Sequence, residues 1–205
     1  MLEALTGAGL AASAGLNAYI PLLALGLLAR YTDLVDLPSE WQWLSNGWVI
    51  AVLVVLLAIE VVADKVPIVD HINDAVQTFV RPAAGGLVFG AGSGAETVTV
   101  SDPGQLASSS DWIPIVIGVL IALAVHALKA VARPVINAVT AGIGAPVAST
   151  AEDATSVVMS VVAIVLPVLV LLFLLGMVLF AVWLIRRRRF RNREREAARA
   201  AGFRV

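Results

Sequence analysis

The sequence predicts an all-α fold, a polytopic bundle of about six transmembrane segments, and three observations support this prediction. The chain has 205 residues, 60% of them hydrophobic, and its mean hydropathy is +0.92. Only 14% of the residues are charged, whereas about a quarter are charged in an average soluble protein. Several apolar runs approach or exceed the roughly 20 residues that an α-helix needs to cross a bilayer. Composition and run length therefore place the chain in the membrane class.

Six segments are candidate membrane helices, and we expect some of them to be short, kinked or re-entrant. They are Leu5–Ala29, Trp48–Ala63, about Ala75–Ala95, Ile113–Leu128, Val135–Ala148 and Thr155–Ile185. The third and fifth are rich in small residues, which favours either packing inside the bundle or a re-entrant path. The last run is too long for one straight span, and we expect Pro167 to kink it.

The distribution of basic residues predicts the orientation of the bundle. Residues 186–205 form a basic tail that contains nine arginines and two glutamates. Loops 30–47 and 96–111 are acidic and contain a single basic residue, Arg30, whereas Lys65, Arg81, Lys129 and Arg133 fall on the side of the tail. The positive-inside rule then gives six crossings of the cell membrane with both termini in the cytoplasm. Anionic lipid head groups are the partners expected for Arg186, Arg187, Arg188 and Arg189, and nucleic acid is not expected.

An internal repeat is visible at an offset of 64 residues. Trp48, Lys65, Asn73 and Pro82 align in this register with Trp112, Lys129, Asn137 and Pro146. The two copies cover about 48–86 and 112–150, within a bundle domain that extends over residues 1–185. Repeats in membrane proteins commonly form a site at their interface. A chain of 205 residues forms little more than one bundle, so we expect that a homodimer would complete any transport path.

Charged residues at helical spacing form an acidic and a basic stripe. Glu60 and Asp64 are four residues apart, and His126, Lys129 and Arg133 follow at intervals of three and four. If the repeats pack face to face, the two stripes would pair. A structural reading, in which the ion pairs only fix helix register, stands beside a functional one. We expect Glu60 and His126 to lie deepest, where an ionisable group is costly and suits proton relay.

A second group of ionisable residues follows Pro67. The candidate residues of the whole chain for transport or ion pairing are Glu60, Asp64, Lys65, Asp70, Asp74, Arg81, His126, Lys129, Arg133 and Asp153. Asp74 and Arg81 share a helix face, which reads as a solvated surface or as the mouth of a polar cavity. Asp70, His71 and Asp74 have no established metal-ligand spacing. The absence of cysteine excludes thiolate metal sites, and we expect no metal or other cofactor.

Two smaller motifs have structural readings. Asn17 precedes Pro21 inside the first apolar run, where it would satisfy carbonyls that the proline frees; a broken helix that exposes polar backbone to a solute is the alternative. Ser149 and Glu152 have the spacing of a capping box at the start of the last helix. Asp153 is then left to complement a lysine or arginine of the other repeat.

The strings "SAGLNAYIPLLALGLLAR", "IEVVADKVPIVDHINDAVQTFVRPAAGG", "HALKAVARPVINA" and "AED" resemble an uncharacterised bacterial family of small membrane proteins, domain of unknown function 4126. The resemblance covers roughly residues 5–180. The motif positions that it implies are Glu60, Asp64, Lys65, Pro67, Asp70, Asp74, Arg81, Pro82, His126, Lys129, Arg133, Glu152 and Asp153. After Arg133 the chain departs from the pattern. The resemblance implies no activity.

Three functions are compatible with these features. The favoured one is a small transporter or channel for an ion or small solute, proton-linked, with its path lined by the charged stripes. The alternative is a membrane scaffold or partner subunit in which the same charges are sealed ion pairs. The third is a membrane enzyme acting on a lipid substrate with Asp70, His71 and Asp74 as acids and bases. Because no nucleophile or phosphate motif is recognisable, we expect no enzyme.

Overall fold

The structure is a computed structural model that describes residues 1–65, 67–100, 112–140 and 144–200. Within these ranges, side chains are not described at 67–72, 74, 134, 135, 137–139, 145, 184 and 188–200. The chain divides into two units, Met1–Val170 and Leu171–Val205.

The described chain is built almost entirely of helices. In chain order they are α1 (Leu2–Leu16), α2 (Tyr19–Tyr31), α3 (Gly47–Ala63), α4 (Pro67–Gly94), α5 (Trp112–Thr140), α6 (Gly144–Val165) and α7 (Val170–Ala200). Two 3₁₀ helices lie at Ser39–Ser45 and Pro167–Leu169. The short strands β1 (Val35–Asp36) and β2 (Glu96–Thr97) pair antiparallel, with Val35 opposite Thr97.

Helix α1 lies at the centre of the first unit, in contact with α4, α5 and α6. Its residues Thr6–Gly15 are all buried. Small residues allow the close approach of these helices: a Cβ on Gly15 would lie 2.6 Å from the carbonyl oxygen of Ala122 on α5. A Cβ on Gly85 of α4 would likewise collide with α5. Close packing through small residues is the usual way in which membrane helices associate.

The polarity of α3 is the reverse of that of a helix on the surface of a soluble protein. Val55, Ile59 and Val62 are 57–64% exposed, whereas Glu60 is 1% exposed. Apolar side chains thus face outward and the ionisable side chain faces the interior. This arrangement suits a helix surrounded by lipid, where charged groups are stable only inside the bundle. The fold is an all-α bundle of an integral membrane protein.

By length and composition, three helical segments among the described residues could cross a membrane. They are Trp112–Arg133, Pro146–Val165 and Pro167–Arg187. A fourth is added if Ser39–Ser45 and Gly47–Ala63, which are bent by 60°, form one broken span. The predicted break at Pro167 is present, because α6 ends at Val165 and the 3₁₀ helix begins at Pro167.

Two of the predicted segments have different boundaries in the structure. Leu5–Ala29 is not one helix: it is divided between α1 and α2, of 15 and 13 residues, each too short to cross a bilayer alone. Val135–Ala148 is not a separate segment, because α5 continues to Thr140 and α6 begins at Gly144. Segment Ala75–Ala95 lies almost entirely within the 28-residue helix α4.

In the second unit, the aromatic side chains of α7 lie next to its basic residues. The rings of Phe180 and Trp183 stack with centroids 5.8 Å apart. The guanidinium carbon of Arg187 lies 5.0 Å from the ring centroid of Trp183, a cation–π contact. Apolar, aromatic and basic residues thus follow one another along this helix, as at the edge of a membrane.

Candidate functional site: a buried charge cluster beside a broken helix

Asp64 is the carboxylate on which four helices converge. It follows the last residue of α3 and is 4% exposed. Its Oδ1 accepts a 2.6 Å hydrogen bond from Asn73 of α4, and its Oδ2 accepts one of 3.3 Å from Ser149 of α6. Two cations of α5 also contact Asp64: Lys129 Nζ lies 3.4 Å and Arg133 Nη2 3.1 Å from Oδ2. A carboxylate surrounded by these donors is held in its ionised form.

Glu152 of α6 shares the same two cations. Its Oε2 lies 2.8 Å from Lys129 Nζ and 3.2 Å from Arg133 Nη2. We use the term charge cluster for three carboxylates and three cations: Glu60, Asp64, Glu152, Arg81, Lys129 and Arg133. Five of these residues are 0–6% exposed, and the Glu152 side chain is 17% exposed. The charges of the cluster balance, which reduces the cost of burying them.

Arg81 and Glu60 form only one of the two hydrogen bonds that a guanidinium–carboxylate pair can make. Its Nη2 donates a 2.9 Å hydrogen bond to Glu60 Oε1. Nε–H lies on the same edge of the planar guanidinium as Nη2–H, so a fork to both carboxylate oxygens is the usual geometry. Yet Arg81 Nε and Glu60 Oε2 are both buried without a hydrogen-bond partner in the described structure, as is Gln77 Oε1 one helical turn before Arg81.

His126 of α5 extends the cluster toward a neutral threonine. Arg81 Nη1 lies 3.2 Å from His126 Nδ1, and His126 Nε2 lies 3.2 Å from Thr78 Oγ1. Arginine can only donate, so Nδ1 must accept and the ring carries its proton on Nε2. The geometry therefore assigns the neutral Nε2–H tautomer, with Thr78 as the acceptor. His126 is 5% exposed.

The break between α1 and α2 lies beside this cluster. Asn17, 1% exposed, has an extended backbone, and its Oδ1 accepts hydrogen bonds from the N–H groups of Tyr19 and Ile20. Its Nδ2 donates a 2.9 Å hydrogen bond to Asp153 Oδ1 on α6. The Tyr19 side chain that follows interacts with both Glu60 and Gln77. One asparagine thus caps α2 and fixes the break to α6.

A row of serines carries polar groups from the break along α6. Ser13 Oγ of α1 lies 2.7 Å from Ser156 Oγ and 2.8 Å from Ser160 Oγ. We call Ser149, Asp153, Ser156 and Ser160 the polar stripe of α6; their spacing of four, three and four residues puts them on one helix face. The three serines are 0–1% exposed, and the stripe joins the charge cluster at Ser149.

The structure brings together most of the predicted site residues, but not all of them. Glu60, Asp64, Arg81, His126, Lys129 and Arg133 meet in or against the charge cluster. Lys65 is exposed and donates to the carbonyl of Val61 in the last turn of α3. The side chains of Asp70, His71 and Asp74 lie outside the described residues. Asp153, predicted to complement a cation, has its Oδ1 on Asn17 instead.

The predicted capping box of Ser149 and Glu152 is wrong. Helix α6 begins at Gly144, so both residues lie inside it, with Ser149 bonded to Asp64 and Glu152 paired with Lys129. The sequence interpretation also omitted Asn73, Gln77 and Ser149 from the site. Asn73, Gln77 and Arg81 follow one another on α4 at intervals of four residues, and this spacing was the available signal.

The helix break also differs from its predicted cause. Pro21 is the third residue of α2, where its missing N–H has no intrahelical acceptor to lose. Asn17 therefore satisfies the N–H groups that begin α2, rather than carbonyls freed by Pro21.

Comparison with known proteins gives a family but no activity. No curated protein and no solved structure matches the chain. One family, described as Domain of unknown function (DUF4126), matches residues 4–187, a range that contains every residue of the charge cluster and the helix break. The chain therefore belongs to the DUF4126 family.

Proposed function

We propose that this integral membrane protein is a small transporter or channel for an ion or small solute, and that its transport is linked to protons. The observation that supports the proposal most strongly is the position of the helix break at Asn17, next to a buried cluster of six charged residues. Broken helices beside buried charges are a common construction of transporter binding sites. A helix interrupted inside a membrane bundle is stable where its backbone lines a polar site.

The cost of the charge cluster supports a functional role. Each ionisable side chain buried at membrane depth costs a few kcal/mol, about 2.5–3.5 on insertion scales. A pair of well-packed apolar side chains is often at least as stable as a buried ion pair. Buried polar atoms of Glu60, Gln77 and Arg81 also have no protein partner in the described structure, which is an expensive arrangement unless another molecule or a proton completes it.

The polar stripe of α6 supports a path that extends beyond the cluster. Ser149 contacts Asp64, Asp153 contacts Asn17, and Ser156 and Ser160 contact Ser13. Hydroxyl and amide groups arranged one after another along a helix can replace the water molecules around an ion or a polar solute as it moves. We propose that the path begins on the cytoplasmic side at the charge cluster and continues along this stripe.

The orientation follows from the basic residues. We propose that the protein resides in the cell membrane with both termini in the cytoplasm, so that Arg186 and Arg187 meet the anionic lipids of the inner leaflet. Both side chains are exposed, and Arg187 is stacked on Trp183. An arginine near an anionic membrane surface contributes about 1 kcal/mol of attraction.

A second candidate function is that of a non-transporting scaffold or partner subunit, and the balance of charges favours it. Three carboxylates and three cations at 2.8–3.8 Å form a sealed, neutral set that would fix the register of α3, α4, α5 and α6 without any flux. The half-made Arg81–Glu60 fork and the break at Asn17 are not needed for that role, so we rank it second.

Flux measurements on purified protein in proteoliposomes test the proposal. A potassium gradient with valinomycin would set the membrane potential, and a trapped pH dye would report proton movement. We expect a proton flux above that of protein-free vesicles, reduced at least tenfold by the charge-neutral double change Lys129→Met with Glu152→Gln. Lys65→Met, which removes an exposed lysine beside the cluster, is the matched control and should keep the flux. Equal flux from all three proteins and empty vesicles would contradict the proposal.

A further inference from the structure

The Arg81 guanidinium lies between two carboxylates at unequal distances. Its Nη2 is 2.9 Å from Glu60 Oε1 and 3.8 Å from Asp64 Oδ2. Arg81 is 0% exposed, Glu60 1% and Asp64 4%, so the three groups interact without screening by water. A shift of the guanidinium by about 1 Å would exchange one carboxylate for the other as hydrogen-bond partner.

The atoms without partners indicate what would drive this exchange. Glu60 Oε2 and Gln77 Oε1 are both acceptors, both buried and both without a donor in the described structure. Two buried acceptors cannot bond to each other unless a hydrogen is added between them. One proton on Glu60 Oε2 supplies that hydrogen: the acid becomes neutral and can donate to the Gln77 carbonyl. The Tyr19 side chain interacts with both residues, through a hydrogen bond with Gln77 and through the charge of Glu60.

Burial favours the neutral acid form of Glu60, which is 1% exposed, and opposes the nearby cations that favour its carboxylate form. Glu60 faces Arg81 of α4 and Lys129 of α5, with Asp64 on its own chain segment and the Tyr19 hydroxyl of α2 nearby. His126 on the far side of Arg81 is in its neutral tautomer. When Glu60 is neutral, Arg81 retains its charge, and Asp64, with Oδ2 at 3.8 Å from Nη2, is the nearest ionised carboxylate among the described side chains.

From this geometry we infer that Glu60 is a proton-binding site and that Arg81 exchanges Glu60 for Asp64 when Glu60 binds a proton. The proton comes from the aqueous phase and forms one bond, to Oε2. Arg81 then competes with Lys129 and Arg133 for Asp64 Oδ2, and the two displaced cations turn toward Glu152 Oε2, with which both already pair. Protonation on α3 thereby changes the contact between α5 and α6.

This inference deepens the proposed function, and its link to transport depends on that function. It names the proton as the coupled ion and Glu60 as the residue that binds it. The binding step itself can be measured without any flux, so the two can fail separately.

Infrared difference spectroscopy of the full-length protein in lipid nanodiscs, as pH is lowered, tests the inference. We expect a carboxylic acid C=O band to appear and to be lost in Glu60→Gln, which is neutral and nearly isosteric. Glu40→Gln, the same substitution at an exposed glutamate outside the charge cluster and the polar stripe, should keep that band. A spectrum in which Glu60→Gln loses no acid band would overturn the inference.

A second variant covers the case in which Glu60→Gln does not fold. Gln77→Met keeps Glu60 and removes the carbonyl that the acid would bond, so we expect the acid band to shift to higher frequency. An unshifted band would overturn the pairing with Gln77. If the band titrates but proteoliposomes show no flux, the proposed transport fails and the proton site stands. If proteoliposomes show flux but no acid band of Glu60 appears, the proposed transport stands and the proton site is overturned.

Discussion

The side-chain amide of Asn17 donates a 2.9 Å hydrogen bond to Oδ1 of Asp153, 136 positions later in the chain. The same asparagine accepts two backbone hydrogen bonds that begin α2. One side chain therefore ends a helix, begins the next and attaches the break to α6. The position of the break relative to the charge cluster depends on this residue more than on Pro21.

Replacing Asn17 by alanine should destabilise the protein more than an ordinary capping loss. The lost cap costs about 1 kcal/mol, and the donor to Asp153 is lost as well, at about 1–3 kcal/mol for a partly buried charged acceptor. Asn46→Ala is the matched control, because Asn46 caps α3 through Trp48 N–H at an exposed site. Thermal unfolding in detergent should show a larger decrease of Tm for Asn17→Ala; equal decreases would contradict the role given to Asp153.

Neutralising Asp64 should be among the most destabilising single changes. Asp64→Asn leaves Lys129 and Arg133 to share Glu152, and breaking one side of a buried ion pair costs about 3–5 kcal/mol. Adding Lys129→Met should recover part of this loss, since it restores the charge balance. Asp33→Asn, in an exposed loop, should leave Tm unchanged within error. A double variant no more stable than Asp64→Asn would argue against a charge-balanced cluster.

The contact between α4 and α5 should not tolerate a methyl group. A Cβ at Gly118 would collide with the carbonyl oxygen of Gly85 and lie 2.5 Å from Phe89 Cβ. Gly118→Ala should therefore lower the free energy of unfolding by about 1–3 kcal/mol, the usual cost of overpacking. Gly176→Ala on α7, where nothing lies within 4 Å of the added Cβ, is the control. A neutral Gly118→Ala would show that the two helices are farther apart than described.

The basic segment of α7 should select anionic lipids. Arg186→Gln with Arg187→Gln removes two exposed charges, for which we expect a loss of about 2 kcal/mol of attraction to an anionic surface. Native mass spectrometry or co-purified lipid analysis should show fewer anionic lipids on the variant. Arg30→Gln, at the end of α2, removes one arginine on the side predicted to be external and should leave the lipid profile unchanged.

Much of the charge cluster could be predicted from helical spacing. Glu60 and Asp64 on one side, and His126, Lys129 and Arg133 on the other, repeat every three or four residues, so each set had to occupy one face of its helix. Their depth followed from the apolar residues around them. The identity of the contacting atoms could not be predicted, because it depends on how far apart α3 and α5 lie and on Arg81 of α4 between them.

The helix boundaries near neutral polar residues were harder to predict. Asn17 ends α1 because its side chain can satisfy α2 and Asp153 together, and the second partner is distant in sequence. Ser149 and Glu152 imitate a helix start, yet α6 begins five residues before Ser149, at Gly144. A local motif could not reveal that Ser149 would hydrogen-bond to Asp64 and that Glu152 would pair with Lys129. The repeat at an offset of 64 remains a prediction; α3 ends at Ala63, whereas α5 continues well past the aligned position.

The proposed transport function requires that water reach the polar stripe of α6, and cysteine labelling tests this requirement most directly because the chain has no cysteine. Ser149→Cys and Ser156→Cys change one atom each and keep every charge. Met159→Cys, 3% exposed on the same helix, is the buried apolar control. Intact cells and inverted vesicles would be treated with a membrane-impermeant thiol reagent. We predict that the serine positions react from at least one side and that position 159 does not; folded protein that is unreactive at both serine positions from both sides would contradict the account.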